Sequence, residues 1–214
     1  MIKLTEINRA EALRYMGGSK VKMNDSMESL IEVCEKEILE NISPKYLYKK
    51  ISLENSGLIV GNSVKKHLKG CDEAFLICAT TGAKTDKLIR SASVTDMAKA
   101  VVLDAMASAA VEQICNKIDE IIAKETPGKY LTFRFSPGYG DYPLEIQEKF
   151  LSILDAPRKI GLCTTDNSLL TPTKSVTAIM GISDFPLEKQ RRGCVICNLN
   201  KTCKFRKTGE HCEL

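Results

Sequence analysis

The chain contains no tryptophan, only two histidines, and aromatic residues at 6% of its 214 positions. A core built from it must be mostly aliphatic. It also lacks any run of about 18 uncharged apolar residues, which excludes an ordinary membrane-spanning helix. The opening MIKLTEINRAEALRYMGG has no apolar stretch of the kind an export signal needs. A cytoplasmic protein without a membrane partner is therefore expected. Charge of one sign is scarce too: 31 basic residues are nearly balanced by 27 acidic ones, leaving a net charge of +4. That balance argues against a dedicated nucleic-acid binder. Internal repeats and low-complexity tracts are absent, and a hydrophobic content of 43% excludes wholesale disorder. The length suits one domain, or one domain with an appendage.

Cysteine, by contrast, is plentiful, with nine in the chain. Cys34, Cys71, Cys78, Cys115 and Cys163 are scattered through apolar segments and read as small buried hydrophobes. The other four form the series Cys194-x2-Cys197-x5-Cys203-x8-Cys212 in a basic, aperiodic segment. In a reducing compartment such a cluster reads as metal or redox chemistry before disulfides. One Cys-x-x-Cys pair gives a tight local bite, and two further thiols complete a four-sulfur site. Zinc ribbons usually show two such pairs, so an iron–sulfur cluster is the first expectation and structural zinc the alternative. Pro186, followed by Lys189, Arg191 and Arg192, marks the boundary. The chain thus divides into a domain over 1–186 and a short Cys-rich metal-binding tail over 187–214.

Hydrophobic periodicity organises the domain. Asn8 can cap a helix over Arg9 to Met16, and Asp25 or Ser26 starts a second one that ends before Pro44. Alternation predicts a strand through Tyr46, Tyr48, Ile51 and Leu53, with a short strand at Leu58-Ile59-Val60. Asn62 would cap a helix over Ser63 to Leu68, on whose surface His67 is expected. Ala74 to Ala79 is an unbroken apolar run, as in a central strand. From Thr95 or Asp96 to about Lys124 there is no proline or glycine, which predicts one long helix, thin at Ala105, Ala107, Ala109 and Ala110. Asp104 and Glu112 on this helix read first as part of a solvated face. Further strands are expected at Tyr130–Phe135, Lys159–Cys163 and Ser175–Ile182, with a helix over Leu144–Leu154. The fold class expected is α+β: a bent antiparallel sheet flanked by helices, one of them long.

The segment Arg134-Phe135-Ser136-Pro137-Gly138-Tyr139-Gly140-Asp141 is the most informative loop. An arginine at a strand end offers a planar fork of donors suited to a carboxylate or phosphate. Gly138 and Gly140 let the backbone take φ > 0 and approach a ligand. Tyr139 adds an aromatic face for a flat base or a cation, worth roughly 0.5–2 kcal/mol. On the residues alone, a plain turn with a solvated Arg134 remains open beside this reading.

The order Arg134-x-Ser136-Pro137-Gly138-Tyr139 resembles the Arg-x-x-x-Gly-Tyr signature of the activation domain of cobalamin-dependent methionine synthase, which binds S-adenosylmethionine. The context is similar on both sides. A long alanine-rich helix precedes the signature. Leu170-Thr171-Pro172-x-x-Ser175-Val176-Thr177 follows it, similar to the family's proline loop and Ser-Val-Ser strand. Where the family has further tyrosines downstream, this chain runs Phe185-Pro186-Leu187-Glu188.

The resemblance implies that Arg134 pairs with the methionine carboxylate, for about 1.5–3 kcal/mol if shielded from water. It implies that the backbone of Ser136 and Gly138 touches the ligand, and that Tyr139 faces the sulfonium or the corrin as the catalytic residue. The implied reaction is the reductive reactivation of a cobalamin oxidised to Co(II), using S-adenosylmethionine. No Asp-x-His-x-x-Gly pattern is present, so the corrin would arrive on a partner, a corrinoid-binding methionine synthase or another corrinoid protein. A one-electron donor such as flavodoxin or ferredoxin is implied as well. The rival reading is a metal-binding interaction module that docks on such a partner without chemistry of its own. A small-molecule methyltransferase is disfavoured by the lack of a Gly-rich strand-to-helix loop.

Overall fold

The computed structural model describes residues 2–18 and 23–187. Cys194, Cys197, Cys203 and Cys212, and with them the proposed tail, lie outside the described residues. The architecture is α+β, with a four-stranded antiparallel sheet and a separate two-stranded hairpin. The elements run α1 (Arg9–Tyr15), α2 (Asp25–Asn41), β1 (Lys45–Ser52), α3 (Asn62–His67), β2 (Glu73–Thr80), α4 (Ala83–Thr95) and α5 (Met97–Glu125). After them come β3 (Tyr130–Leu131), α6 (Ile146–Leu154), α7 (Ala156–Ile160), β4 (Cys163–Thr164), β5 (Leu170–Thr171) and β6 (Ser175–Ser183).

The sheet order is β1-β2-β6-β3, which leaves the apolar run of β2 in the interior between two neighbours. Its side chains alternate as a strand demands. Ala74, Leu76 and Cys78 enter one core with α6 and α7, while Phe75, Ile77 and Ala79 enter another beneath the second half of α5. The first half of α5 runs past the sheet. There its alanines at 100, 105, 107, 109 and 110 pack in a third cluster with α1, α2 and α4. Small side chains allow these three helices to approach closely. Asp96 starts α5 by accepting a hydrogen bond from the Lys99 N–H at 3.0 Å. At 29 residues, this helix joins the helical layer to the sheet.

Several elements differ from the sequence expectation. Helix α4 was not foreseen, because its Ser, Thr and Val content masks the few apolar positions, Leu88, Ile89 and Ala92, that face the core. Leu58–Val60 is not a strand: β2 already has a partner on each side. Leu58 is instead a core plug, whose carbonyl accepts the Tyr142 hydroxyl at 3.0 Å. Pro157 opens α7 rather than breaking a helix, since its fixed φ suits a first turn. Of the expected Lys159–Cys163 strand only Cys163 pairs, together with Thr164 beyond it, while Lys159 and Ile160 belong to α7. The expected strand at 130–135 pairs at Tyr130 and Leu131 and again at Phe135 opposite Ile179. Between these points the Gly181 N–H donates to the Thr132 hydroxyl at 2.8 Å instead of to a carbonyl.

Cys34, Cys78 and Cys115 are buried, and Cys71 packs against the first core. Burial pushes the Cys34 thiol up to about 11 and those of Cys78 and Cys115 up to about 12. Thiols so far from ionisation are packing groups. No helix among the described residues is long and apolar enough to cross a membrane.

Candidate functional site

Positions 104, 108, 112, 116 and 119 of α5 recur at steps of four and three, so Asp104, Ser108, Glu112, Asn116 and Asp119 share one face of the helix. Two cations from distant loops dock on this polar stripe. Lys174, just before β6, places Nζ 2.8 Å from Asp104 Oδ1 and 2.9 Å from Ser108 Oγ. Arg134 spans the next two turns. Its Nη2 lies 3.0 Å from Glu112 Oε2 and 3.1 Å from Asn116 Oδ1, and its Nη1 is 3.0 Å from Asp119 Oδ2. Asp104 and Glu112 are therefore not simply a solvated face. What the sequence could not show is that their partners come from 70 and 22 residues away.

The Arg134 side chain is 16% exposed. The Nη1–Asp119 contact is an ion pair without hydrogen-bond alignment, and Nη1 has no aligned acceptor elsewhere. The fork is thus oriented by α5, and the donor left without an aligned acceptor, Nη1, is itself buried. Three carboxylates against two cations leave the stripe with a net charge of −1.

The loop after Arg134 has the shape that its glycines allow. Gly138 takes φ 91° and Gly140 φ 59°. The Gly138 N–H donates to the Tyr142 carbonyl at 2.8 Å, and the Tyr139 N–H to the Ser136 carbonyl at 3.2 Å. Tyr139 emerges from this turn 50% exposed, with its ring edge-on to Phe135 at 5.9 Å. Partial burial and then the negative charge of Glu112 push its phenol above the ordinary tyrosine value. A second tyrosine feels the same carboxylate. Tyr15, at the end of α1, is pushed up to about 12 by burial, Glu112 and Glu11. The N-terminal segment that carries it is pinned to α5 by Gln113, which accepts the Asn8 N–H at 2.9 Å and donates to the Glu6 carbonyl at 3.2 Å.

Tyr15 also borders a groove of about 340 Å³ along the first half of α5, with Ile89, Met97, Val101, Asp104 and Ser108. Arg134 thus occupies the stripe from Glu112 onward, with Tyr139 on the loop that follows it, while the groove and Lys174 mark the other part, and Tyr15 borders the groove within the field of Glu112. Ser136 and Gly138 shape the turn between Arg134 and Tyr139. Tyr15 was missed by the sequence reading, which had only the Gly17-Gly18 stop beside it as a local signal. Among the described residues no group of three or more His, Cys, Asp or Glu side chains is arranged to hold a metal ion.

Fold and site together define a class: an α+β domain in which an arginine–tyrosine loop is set against a carboxylate-striped long helix. A solved structure that shares this fold is the MetH reactivation domain bound to AdoHcy. It matches with a TM-score of 0.59 and 13% sequence identity, over 95% of this chain and 82% of that one. No protein-family model matches the chain, and no curated protein does. At this identity the likeness is one of fold alone: the chain has the fold of that domain.

Proposed function

We propose that the chain binds S-adenosylmethionine at the Arg134–Tyr139 loop for the reductive reactivation of a partner-held corrinoid. The observation that carries this reading is the Arg134 fork, fixed by α5 at the root of the Tyr139 loop beside an anionic stripe. A zwitterionic sulfonium ligand fits that pattern at three points. Its carboxylate meets Arg134. Its ammonium and sulfonium lie over the negative stripe, where the charge of Glu112 raises the phenols of both Tyr139 and Tyr15. Tyr139 covers the sulfonium with the face or edge of its ring. Ser136 and Gly138 contribute the backbone against which the ligand lies. The fold is that of a domain solved with AdoHcy, the demethylated form of the same molecule.

S-adenosylmethionine would supply a methyl group from its sulfonium and leave as AdoHcy, and an external one-electron donor would supply the electron that takes Co(II) to the nucleophilic Co(I) level. This chain's own residues bind and orient: they hold the sulfonium with its methyl directed outward, so that a partner's corrinoid can approach it. The test is calorimetric titration of the full-length protein with S-adenosylmethionine. Saturable binding is expected, and no heat at millimolar ligand sinks the reading.

The tail is proposed to hold a four-sulfur site at Cys194, Cys197, Cys203 and Cys212. An iron–sulfur cluster there would suit a reaction that consumes one electron, whereas zinc would only staple the segment. Anaerobic purification followed by iron, sulfide and zinc analysis is expected to return iron and sulfide. A colourless protein with one zinc per chain defeats the electron-transfer role and leaves a structural one.

A further inference from the structure

Helix α3 contributes nothing to the Arg134 cluster, yet it is tied to both ends of the segment that carries it. At its N-terminal end no side chain of its own serves as cap, contrary to the expectation for Asn62. The cap is Asp141, whose carboxylate accepts the N–H groups of Asn62 and Ser63, each at 2.7 Å. These bonds hold the Asp141 carboxyl down at about 2, against an ordinary value of 3.8. The stabilisation is therefore complete above the ordinary value and is lost only as pH falls through about 2. The approach is close enough to require glycine on both sides. A Cβ on Gly61 would sit 2.6 Å from the Asp141 carbonyl oxygen, and one on Gly140 would sit 2.8 Å from Ser63 Cβ.

At the other end of α3 is His67. The sequence placed it on a helix surface, but it is 3% exposed. Its Nε2 lies 2.9 Å from the Phe133 carbonyl and 2.8 Å from the Thr132 hydroxyl. Its ring stacks on Phe135 at 4.7 Å and meets Phe133 edge-on at 4.5 Å. Phe135 in turn touches Tyr139 and Tyr142, both at 5.9 Å. Arg134, Ser136, Gly138 and Tyr139 all lie between the His67 grip and the Asp141 grip.

We propose that α3 is a clamp on the ligand loop, with His67 as a positioning residue that fixes Arg134 and Tyr139 without touching the ligand. The carbonyl that His67 faces, which also accepts the Thr132 hydroxyl at 3.1 Å, immediately precedes Arg134, so loss of the imidazole loosens the strand end from which the fork projects. The stacked ring fixes Phe135, against which Tyr139 leans. The effect on ligand affinity rests on the proposed S-adenosylmethionine site, while the clamp itself is readable in the free protein.

The experiment uses the full chain and three variants. His67→Phe keeps an aromatic ring but removes the nitrogen, His67→Gln restores a donor near Nε2, and Asp141→Asn weakens the opposite grip. Amide hydrogen exchange and titration with S-adenosylmethionine are read together. His67→Phe and Asp141→Asn are each expected to speed exchange at Phe135, Gly138 and Tyr142 by about tenfold, with the α5 amides unchanged. His67→Phe should weaken the ligand roughly tenfold, with His67→Gln recovering much of that loss. In an Arg134→Ala background the His67→Phe effect should fall below about twofold, because its target is gone. Uniformly faster exchange across α5 reduces His67 to a core residue and overturns the proposal. So does faster loop exchange with unchanged affinity, or a full effect that persists without Arg134. Wild-type protein that takes no ligand sinks the functional reading instead, and the exchange pattern still decides whether α3 clamps the loop.

Discussion

Replacing Arg134 with alanine is expected to weaken S-adenosylmethionine binding by roughly 10- to 150-fold, the equivalent of about 1.5–3 kcal/mol for a charge-assisted pair. The size follows from geometry rather than from charge alone. The side chain is 16% exposed, and its fork is held by Glu112, Asn116 and Asp119 before any ligand arrives. Little side-chain entropy remains to be lost on binding. Arg134→Lys separates the two contributions. A lysine can still neutralise one carboxylate of the stripe, but it cannot span Glu112 and Asp119 while offering a second planar pair of donors. Its thermal midpoint should stay nearer to wild type than that of Arg134→Ala, while its ligand affinity falls nearly as far. The alanine variant also leaves Glu112 and Asp119 without their shared cation. Both are partly exposed, so the resulting instability should be modest and should shrink as salt rises. Equal affinity in wild type and Arg134→Ala would remove Arg134 from the site.

How much of this was legible beforehand depended on how local the cause was. Helix α5 was readable within two residues at each end, because the side chain of its cap, Asp96, bonds to Lys99 three residues on, and because no glycine or proline interrupts it. The central position of β2 followed from its own unbroken apolar run. Arg134 and Tyr139 could be picked out because a turn with two glycines is a local pattern, and both glycines do take positive φ. The groups that give the site its field were not legible. Glu112 looks like any helix-surface carboxylate until Arg134 arrives from another element. His67 looks exposed until Phe133 and Phe135 close over it, and Asp141 looks like a turn residue until it caps a helix that begins 79 positions earlier. The α2 start shows the same thing on a small scale. Asn24, one residue before the expected Asp25, accepts the Met27 N–H at 2.8 Å and takes the cap position. Sequence pattern records what a residue does to its neighbours along the chain. Charges, caps and stacks that close across the fold leave no such trace.

Replacing Glu112 with glutamine should separate two ligands that differ by one charge. S-adenosylmethionine carries a sulfonium; AdoHcy, which has lost the methyl group, has a neutral sulfur. The stripe keeps a net negative charge even with Arg134 and Lys174 docked. That field reaches the ligand side, because Glu112 raises the phenols of both Tyr139 and Tyr15. A carboxylate whose charge raises two phenols also favours a cation placed near it. At a partly exposed site this preference is worth about 1 kcal/mol, so Glu112→Gln should weaken S-adenosylmethionine roughly fivefold. AdoHcy keeps its ammonium and carboxylate but not the sulfonium, so its affinity should change less. The ratio of the two affinities is the quantity to measure, since a general loss of structure would lower both together. Raising the salt should narrow the same ratio in the wild type by screening the stripe. A readout that needs no ligand accompanies it: with the negative charge gone, Tyr139 and Tyr15 should titrate at lower pH than in the wild type. If both ligands weaken equally and the tyrosines do not move, Glu112 serves Arg134 alone. The sorting of methylated from demethylated ligand must then lie with the aromatic face of Tyr139.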